Sequence, residues 1–595
     1  MTPVHGLPQP VTPQGIQATN GKSSLGLRLR NMSGRALTAE GITCVVAVVL
    51  LLWLVLYPLL VLFIGSVRTD LPLRPGQFTL TNFANLFANP ENFTAIGNTV
   101  VSSAFATILA LLIGVSLAWI TSRTDTPGRR FFDNVFVIPY YLSPFIGAIA
   151  WTLLANPRIG FINNLFTEVL GFEEAPFNIY SLGGLVFVMA LYYSPIVFLF
   201  VAGSLRSMDP ALEEASRIHG VGPLATTLRV TLPVVGPAVA SSALLVYLNA
   251  AGQFGIPAVI GIPMHYDVIT TRMWVGLGYF PPKYTEAAAF AVVLLAFSSI
   301  IFFVQRRMLA NKSFATVTGK GFRPAVVKLG RLRYLTLFAC ILYFAVSILL
   351  PYAALLFTSF QPFLSFAFEP GSWTLNQYAE VLFNNPLTVR ATVNSLLLGT
   401  LGATVAIFFS LIISYVVHRT RLRLRYTLDY LAMLPAGVPA VVFAVALLWS
   451  YIFLPVPIYG TIWMLLIAYV AHYIPFGVRA TTSGLAQISV ELEESARIHG
   501  ESWLGTMRRI VVPLLKPALT VGWILLFIEF IRSLSLSILL YTPESVVMPV
   551  VTYELYETGA YPALAAFSVL QTALMFIAIY AARKIAGVDN FMQLK

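Results

Sequence analysis

Glu213-Glu214-Ala215-Ser216-Arg217-Ile218-His219-Gly220 is followed, after nine residues, by Val230-Thr231-Leu232-Pro233. Glu493-Glu494-Ser495-Ala496-Arg497-Ile498-His499-Gly500 repeats the stretch 280 residues later, again with nine residues before Ile510-Val511-Val512-Pro513. A polar loop written twice at fixed spacing marks a surface that must fit a partner twice, and the chain around it decides where that surface stands.

The surroundings are oily. Of 595 residues, 57% are hydrophobic and 10% charged, and the mean hydropathy is +0.80, outside the range of soluble globular domains. Twelve apolar stretches are long enough to cross a bilayer, which takes about 20 helical residues. They run 43–66, 97–121, 133–155, 183–205, 236–261, 285–305, 335–358, 394–417, 428–453, 461–481, 517–540 and 564–582; Gly and Pro interrupt or shorten the third, fifth, ninth and tenth. The expected fold is an all-α membrane protein embedded in the lipid bilayer. Residues 1–42, rich in Pro, Gln, Gly and Ser, read as a disordered tail rather than a cleavable signal, and the first span as an uncleaved anchor. Cys44 and Cys340 fall at the starts of spans, as buried thiols without a disulfide framework.

Charge placement orients the chain. With the N-terminus inside, inner segments hold 30 of the 37 Lys and Arg, outer loops hold six, and Arg532 lies within a span. The linker 306–334 carries Arg306, Arg307, Lys312, Lys320, Arg323, Lys328, Arg331 and Arg333 without one acid. The outer loops are acidic instead, with Glu168, Glu173, Glu174, Glu544, Glu554 and Glu557. Both termini are expected in the cytoplasm, and the net charge of +12 reports topology, with no nucleic-acid partner needed to explain it.

Further landmarks recur in both halves: Pro58 with Pro351, Asn98 with Asn394, Pro139 with Pro435, Pro195 with Pro475. Some 16 extra residues of the first half fall in the outer loop 158–178. Six spans per half is an even number, so the two halves enter the membrane in the same direction and form parallel six-helix repeats. The expected divisions are a tail at 1–42, a first half at 43–305 with its loop at 207–235, the basic linker at 306–334, a second half at 335–585 with its loop at 487–516, and a tail at 586–595.

In the repeated loop, Asp209-Pro210 is a strong helix start, and Ser489 is a capping residue at the equivalent place. Gly220 and Gly500 permit the left-handed turn that closes such a helix. An amphipathic helix can also lie along lipid headgroups, but paired carboxylates are unfavourable beside an anionic leaflet, which favours protein docking.

The pattern of Glu-Ala-Ala, three residues, Gly, nine residues and Ile-x-Leu-Pro resembles the EAA loop in permease subunits of bacterial binding-protein-dependent ABC importers. The first copy departs at Ser216 and Val230, the second at Ser495 and Val512, all mildly. The resemblance implies a type I importer permease fold with both halves fused, two copies of an ABC ATPase that bind ATP and Mg, a periplasmic solute-binding protein, and the bacterial inner membrane as location. Glu213, Glu214, Ala215 and Gly220 would couple to one ATPase and Glu493, Glu494, Ser495 and Gly500 to the other. The segments Arg123-Thr124-Asp125-Thr126-Pro127-Gly128-Arg129 and Gln253-Phe254-Gly255-Ile256-Pro257 look most like the ferric-iron group; permeases for 2-aminoethylphosphonate and thiamine are the alternatives.

No nucleotide site is expected in this chain. Gly21-Lys22-Ser23 lacks the glycine a phosphate loop needs five residues earlier, where Ile16 stands. The six histidines have no metal-ligand spacing, and no clustered acids and bases suggest catalysis, so no cofactor, metal site or catalytic residue is expected here.

Within the membrane, Glu529 and Arg532 lie three residues apart on one helix face, where each charge costs at least ~2.5 kcal/mol at the bilayer centre. The 280-residue offset aligns Asn249 with Glu529 and Gln253 with Ser533. Two readings stay open: a pair that pins helices, or a pathway lined by Asn249, Gln253, Glu529, Arg532, Ser533 and Ser535. A secondary transporter of the major facilitator kind shares the two six-span halves, and Asp125-Thr126-Pro127-Gly128-Arg129-Arg130 approaches its loop signature. Thr121 and Thr126 break that signature, and such a transporter has no use for paired coupling loops.

Overall fold

A computed structural model describes residues 39–70, 75–310, 326–365, 370–452 and 457–587. Residues 1–38 and 588–595 of the predicted tails and 311–325 of the basic linker lie outside the described residues, whereas 39–42 already belong to the first helix. Ten helices are long and apolar enough to span a membrane: Gly41–Ser66, Pro90–Arg123, Leu182–Ser207, Thr227–Ala251, Tyr284–Val304, Gly330–Ser359, Pro386–Arg419, Ile462–Leu485, Trp503–Arg532 and Tyr561–Ile585. Two bent pairs among the described residues bring the total to as many as twelve, if each is one broken span: Arg129–Tyr141 with Pro144–Ala155, and Arg425–Gly437 with Ala440–Tyr451. Among the described residues the only β pairing is two isolated bridges.

The predicted spans are all found, and four need correction. The third and ninth break at bends of 97° and 112°. Ser143-Pro144 and Val438-Pro439 stand at the corners, where proline biases the preceding residue to the extended region, and Ser143 and Val438 have ψ of 121° in both cases. The fifth span is Thr227–Ala251 rather than 236–261, and the eleventh is Trp503–Arg532 rather than 517–540. Both begin directly at the repeated loop and stop early, at Gly252 and Ser533.

Proline also explains a repeated irregularity. Widened helical turns at Leu52–Leu56, Thr227–Thr231, Ala345–Leu349 and Met507–Val511 each end two residues before Pro58, Pro233, Pro351 or Pro513. The proline ring crowds the carbonyl four residues back and offers no N–H, so the preceding turn opens to carry it. The paired positions, Pro58 with Pro351 and Pro233 with Pro513, show this as a property of the repeat.

The halves are interlocked. The first span lies against the broken ninth, where a Cβ on Gly65 would come within 2.7 Å of the Trp449 ring, and Trp53 meets Tyr451 edge to face. In the mirror arrangement the seventh span packs on the broken third. Within each half, Asn98 donates to the Asp267 carbonyl at 2.9 Å and Asn394 to the Val546 carbonyl at 2.9 Å. Thr99 and Ser395 accept from the amides of Ile269 and Met548. These bonds fix the chain that follows the fifth and eleventh spans, leaving the short ends of those spans facing a central space.

Candidate functional site: paired loop helices and a central cavity

The two loop helices, Ala211–Ile218 and Val490–Ile498, emerge on the same side of the bundle. Asp209 caps the first by accepting from the Ala211 amide at 2.9 Å. Gly220 and Gly500 hold φ of 77° and 83°, the left-handed turn expected at each. His219 and His499 each donate from Nδ1 at 2.8 Å to a carbonyl one turn back, Ala215 or Ser495, so the two corners match in detail.

The structure separates the carboxylates of each pair. Glu213 and Glu493 turn inward and are 3% exposed, whereas Glu214, Ala215, Gly220, Glu494, Ser495 and Gly500 face outward. Glu213 meets Arg123 Nε at 3.3 Å and accepts from the Thr231 hydroxyl at 2.8 Å. Glu493 meets Arg419 Nε at 3.0 Å and accepts from the Tyr415 hydroxyl at 2.8 Å. Each arginine also grips the end of the span before the loop: Arg123 donates to the Leu205 carbonyl at 2.8 Å, and Arg419 to Leu485 at 2.9 Å and Ile488 at 2.6 Å. A cation there answers both the unsatisfied carbonyls and the negative end of the helix dipole. The loop helix, the span before it and the end of the second or eighth span are thus tied at one point.

Outside this tie the exposed face is apolar at its tip. Ile218 and Ile498 are both 84% exposed, one residue before the His-Gly corner. The same solvated isoleucine thus stands at the same place in both copies of the repeat.

In the centre, all six residues expected to line a pathway border one cavity of about 400 Å³: Asn249, Gln253, Glu529, Arg532, Ser533 and Ser535. The broken third and ninth spans form two of its walls, through Tyr140 and the stretch Pro435–Ala440. Glu529 and Arg532 do pair, with Nε to Oε2 at 3.2 Å and a second contact between Nη2 and Oε1. The pair reaches into the first half, where the Tyr140 hydroxyl donates to Glu529 Oε1 at 3.1 Å. Arg532 donates to the Tyr140 carbonyl and lies 4.7 Å from the centre of its ring.

Two tyrosines related by the repeat face each other across this space. Tyr193 donates to the Asn249 carbonyl at 3.2 Å and Tyr473 to the Ser533 hydroxyl at 3.0 Å. At Phe145 the cavity borders a cluster of rings: Phe254 lies 5.7 Å from Tyr553 and Trp274, and Phe145 lies 5.9 Å from Tyr553. Toward the loops it continues along Leu199, Phe200 and Arg479, all near the loop ends of the fourth and tenth spans. The cavity thus borders aromatic contacts between the halves at Phe145 and extends toward the side of the repeated loops.

Sequence reasoning missed Arg123, Arg419, Tyr140 and Tyr473. A signal for the arginines was present, since Arg-Thr closes both the second and eighth spans. Tyr140 has no counterpart of its own kind, because the aligned residue is Ala436.

The family model for the binding-protein-dependent transport system inner membrane component matches residues 75–313 and 406–587, more than half of the chain. The chain belongs to this family and is a permease of the ABC importer type with two fused halves. Among similar proteins, the ferric transport system permease protein FbpB of Actinobacillus pleuropneumoniae is 28% identical over 90% of this chain and 76% of its own length. The putative ferric transport system permease protein FbpB 1 of Haemophilus influenzae is 28% identical over 87% of this chain and 80% of its own. A solved chain from a bacterial ABC transporter involved in alginate import aligns at 19% identity with a TM-score of 0.36, covering 48% of this chain and 96% of that one.

Proposed function

We propose that this permease carries ferric iron from a periplasmic binding protein into the cytoplasm, driven by two ABC ATPase subunits docked on the loops at 207–235 and 487–516. The observation that carries the docking is the matched pair of exposed tips, Ile218 and Ile498, each on a helix anchored from behind by a buried Arg–Glu contact. A tip that is apolar and a base that is rigid suit a helix that must be pushed as a unit. ATP and Mg belong to the ATPases. Their closure would draw the loops together and part the ring cluster of Phe145, Phe254, Trp274 and Tyr553, opening the cavity outward; hydrolysis would return it to the arrangement described here.

In this reading the loop side is cytoplasmic, as are both termini, and the membrane is the bacterial inner membrane. Iron as cargo is supported by the ferric transport permeases among the relatives. The test is purification of the tagged chain from native membranes, followed by identification of co-eluting proteins and an ATP hydrolysis assay. Co-elution of an ATPase in twofold ratio and a solute-binding protein is the expected result. Binding of that protein to Fe3+, and not to 2-aminoethylphosphonate or thiamine, completes it; a chain that elutes alone and moves solute on a proton gradient overturns it.

A further inference from the structure

The charge fixed in the cavity wall constrains the form in which cargo can cross, on the reading that the cavity is the transport path. Glu529, Arg532 and Arg479 are the charged residues that line it. Glu529 is engaged at both oxygens: Oε1 and Oε2 both meet Arg532, and Oε1 also accepts from Tyr140. The remaining nitrogen of Arg532 is spent on the Tyr140 carbonyl. The pair is neutral as a unit, and a single carboxylate already engaged at both oxygens is no ligand set for a metal.

Arg479 is different. It is exposed, lines the cavity near the loop end of the tenth span, and among the described residues it has no acidic partner. His472, Phe476 and Arg479 recur at i, i+4 and i+7, so they form one helix face along the cavity. The repeat-related residue in the first half is Leu199, so the charge is not balanced from the other side. Among the described residues no group of three His, Cys, Asp or Glu could hold a metal ion. A bare trivalent cation would thus meet net positive charge, with no cluster of acidic or histidine ligands to replace its water. A guanidinium fork, by contrast, fits a carboxylate, phosphate or phosphonate in two parallel hydrogen bonds.

We propose that the cavity is an oxyanion site: the solute crosses bearing carboxylate, phosphate or phosphonate oxygens that engage Arg479, and a ferric cargo crosses together with its own oxyanion.

Two measurements test this. A thiol placed by Leu199→Cys faces the same cavity, and the native Cys44 and Cys340 are buried. In the full chain in nanodiscs, the anionic sulfonatoethyl methanethiosulfonate should label that thiol at least threefold faster than the cationic trimethylammonium analogue, each rate taken relative to free glutathione. Arg479→Gln should bring the ratio to about one, and Arg479→Lys should retain it. A ratio of one or less in the parent, or one unmoved by Arg479→Gln, overturns the proposal. In right-side-out membrane vesicles holding the whole transporter, with citrate the sole oxyanion, 55Fe and 14C-citrate should accumulate together. Entry of 55Fe without 14C overturns the proposal. Entry of neither label overturns ferric citrate as cargo, and the labelling ratio then decides the oxyanion site by itself.

Discussion

Arg419 and Glu493 meet at 3.0 Å from elements 74 residues apart, and Arg123 and Glu213 reproduce the contact at 3.3 Å in the other half. Both pairs are nearly withdrawn from solvent, so each partner needs the other. Breaking such a pair by removing one side leaves a charge without its match and costs about 3–5 kcal/mol. Glu493→Leu should therefore lower the detergent melting temperature and expose the 487–516 loop to protease. The double variant Arg419→Met with Glu493→Leu should recover a large part of that loss, as measured by a thermal-shift cycle. A double variant whose loss equals the sum of the losses of Arg419→Met and Glu493→Leu alone would show that the two residues are not coupled.

The exposed tips call for the opposite behaviour. Ile218 and Ile498 touch solvent over most of their surface, so Ile218→Glu with Ile498→Glu should shift stability by no more than about 0.5 kcal/mol. ATPase capture on affinity beads should nevertheless fall at least tenfold. Retention of the ATPase by the double variant would move the docking surface elsewhere on the loops.

Gly220 and Gly500 separate backbone from side-chain effects. Nothing lies within 4 Å of a Cβ built on either, so the cost of a side chain is conformational only. Gly500→Ala should cost about 1–2 kcal/mol for holding the left-handed turn, and Gly500→Asn less, because asparagine enters that region more readily. Gly500→Pro cannot adopt a φ of 83° at all and should abolish ATPase co-purification while membrane insertion persists, read by fractionation and pull-down.

What could be read from the residues in order, and what could not, follows from the range of each interaction. Hydropathy, lysine and arginine placement and the repeated prolines are local, and they located the spans and the parallel repeat. Gly220 and Gly500 were legible because a left-handed turn is a one-residue property. The split roles of Glu213 and Glu214 were not, because they depend on which face of an eight-residue helix meets Arg123, some 90 positions upstream. The breaks in the third and ninth spans were signalled by Ser143-Pro144 and Val438-Pro439, but a proline in an apolar run is compatible with a kink as well as a corner. Tyr140 was invisible for a further reason: its contact to Glu529 joins the two halves and has no equivalent in the repeat.

Glu529 allows pinning and pathway roles to be told apart. Glutamine at 529 keeps one oxygen that can accept from Arg532 and Tyr140, but it loses the negative charge and the second acceptor toward Arg532. Glu529→Leu loses both, leaves Arg532 buried without its counter-charge, and should cost about 3–5 kcal/mol. Tyr140→Phe removes one hydrogen bond of 3.1 Å, worth about 1.5–3 kcal/mol for a charged acceptor, and keeps the ring beneath Arg532. If the pair only fastens the halves, initial uptake rates should fall in the order of melting temperature, with Glu529→Leu the most affected of the three. If the charge itself serves transport, Glu529→Gln should melt higher than Glu529→Leu yet lose uptake to the same extent, at least tenfold, while Tyr140→Phe, which keeps the charge, retains most of its uptake. The second pattern is the expected one, because the pair faces a cavity that the unpaired Arg479 leaves positive, and losing the one negative charge would strengthen the hold on an anionic solute until release became slow.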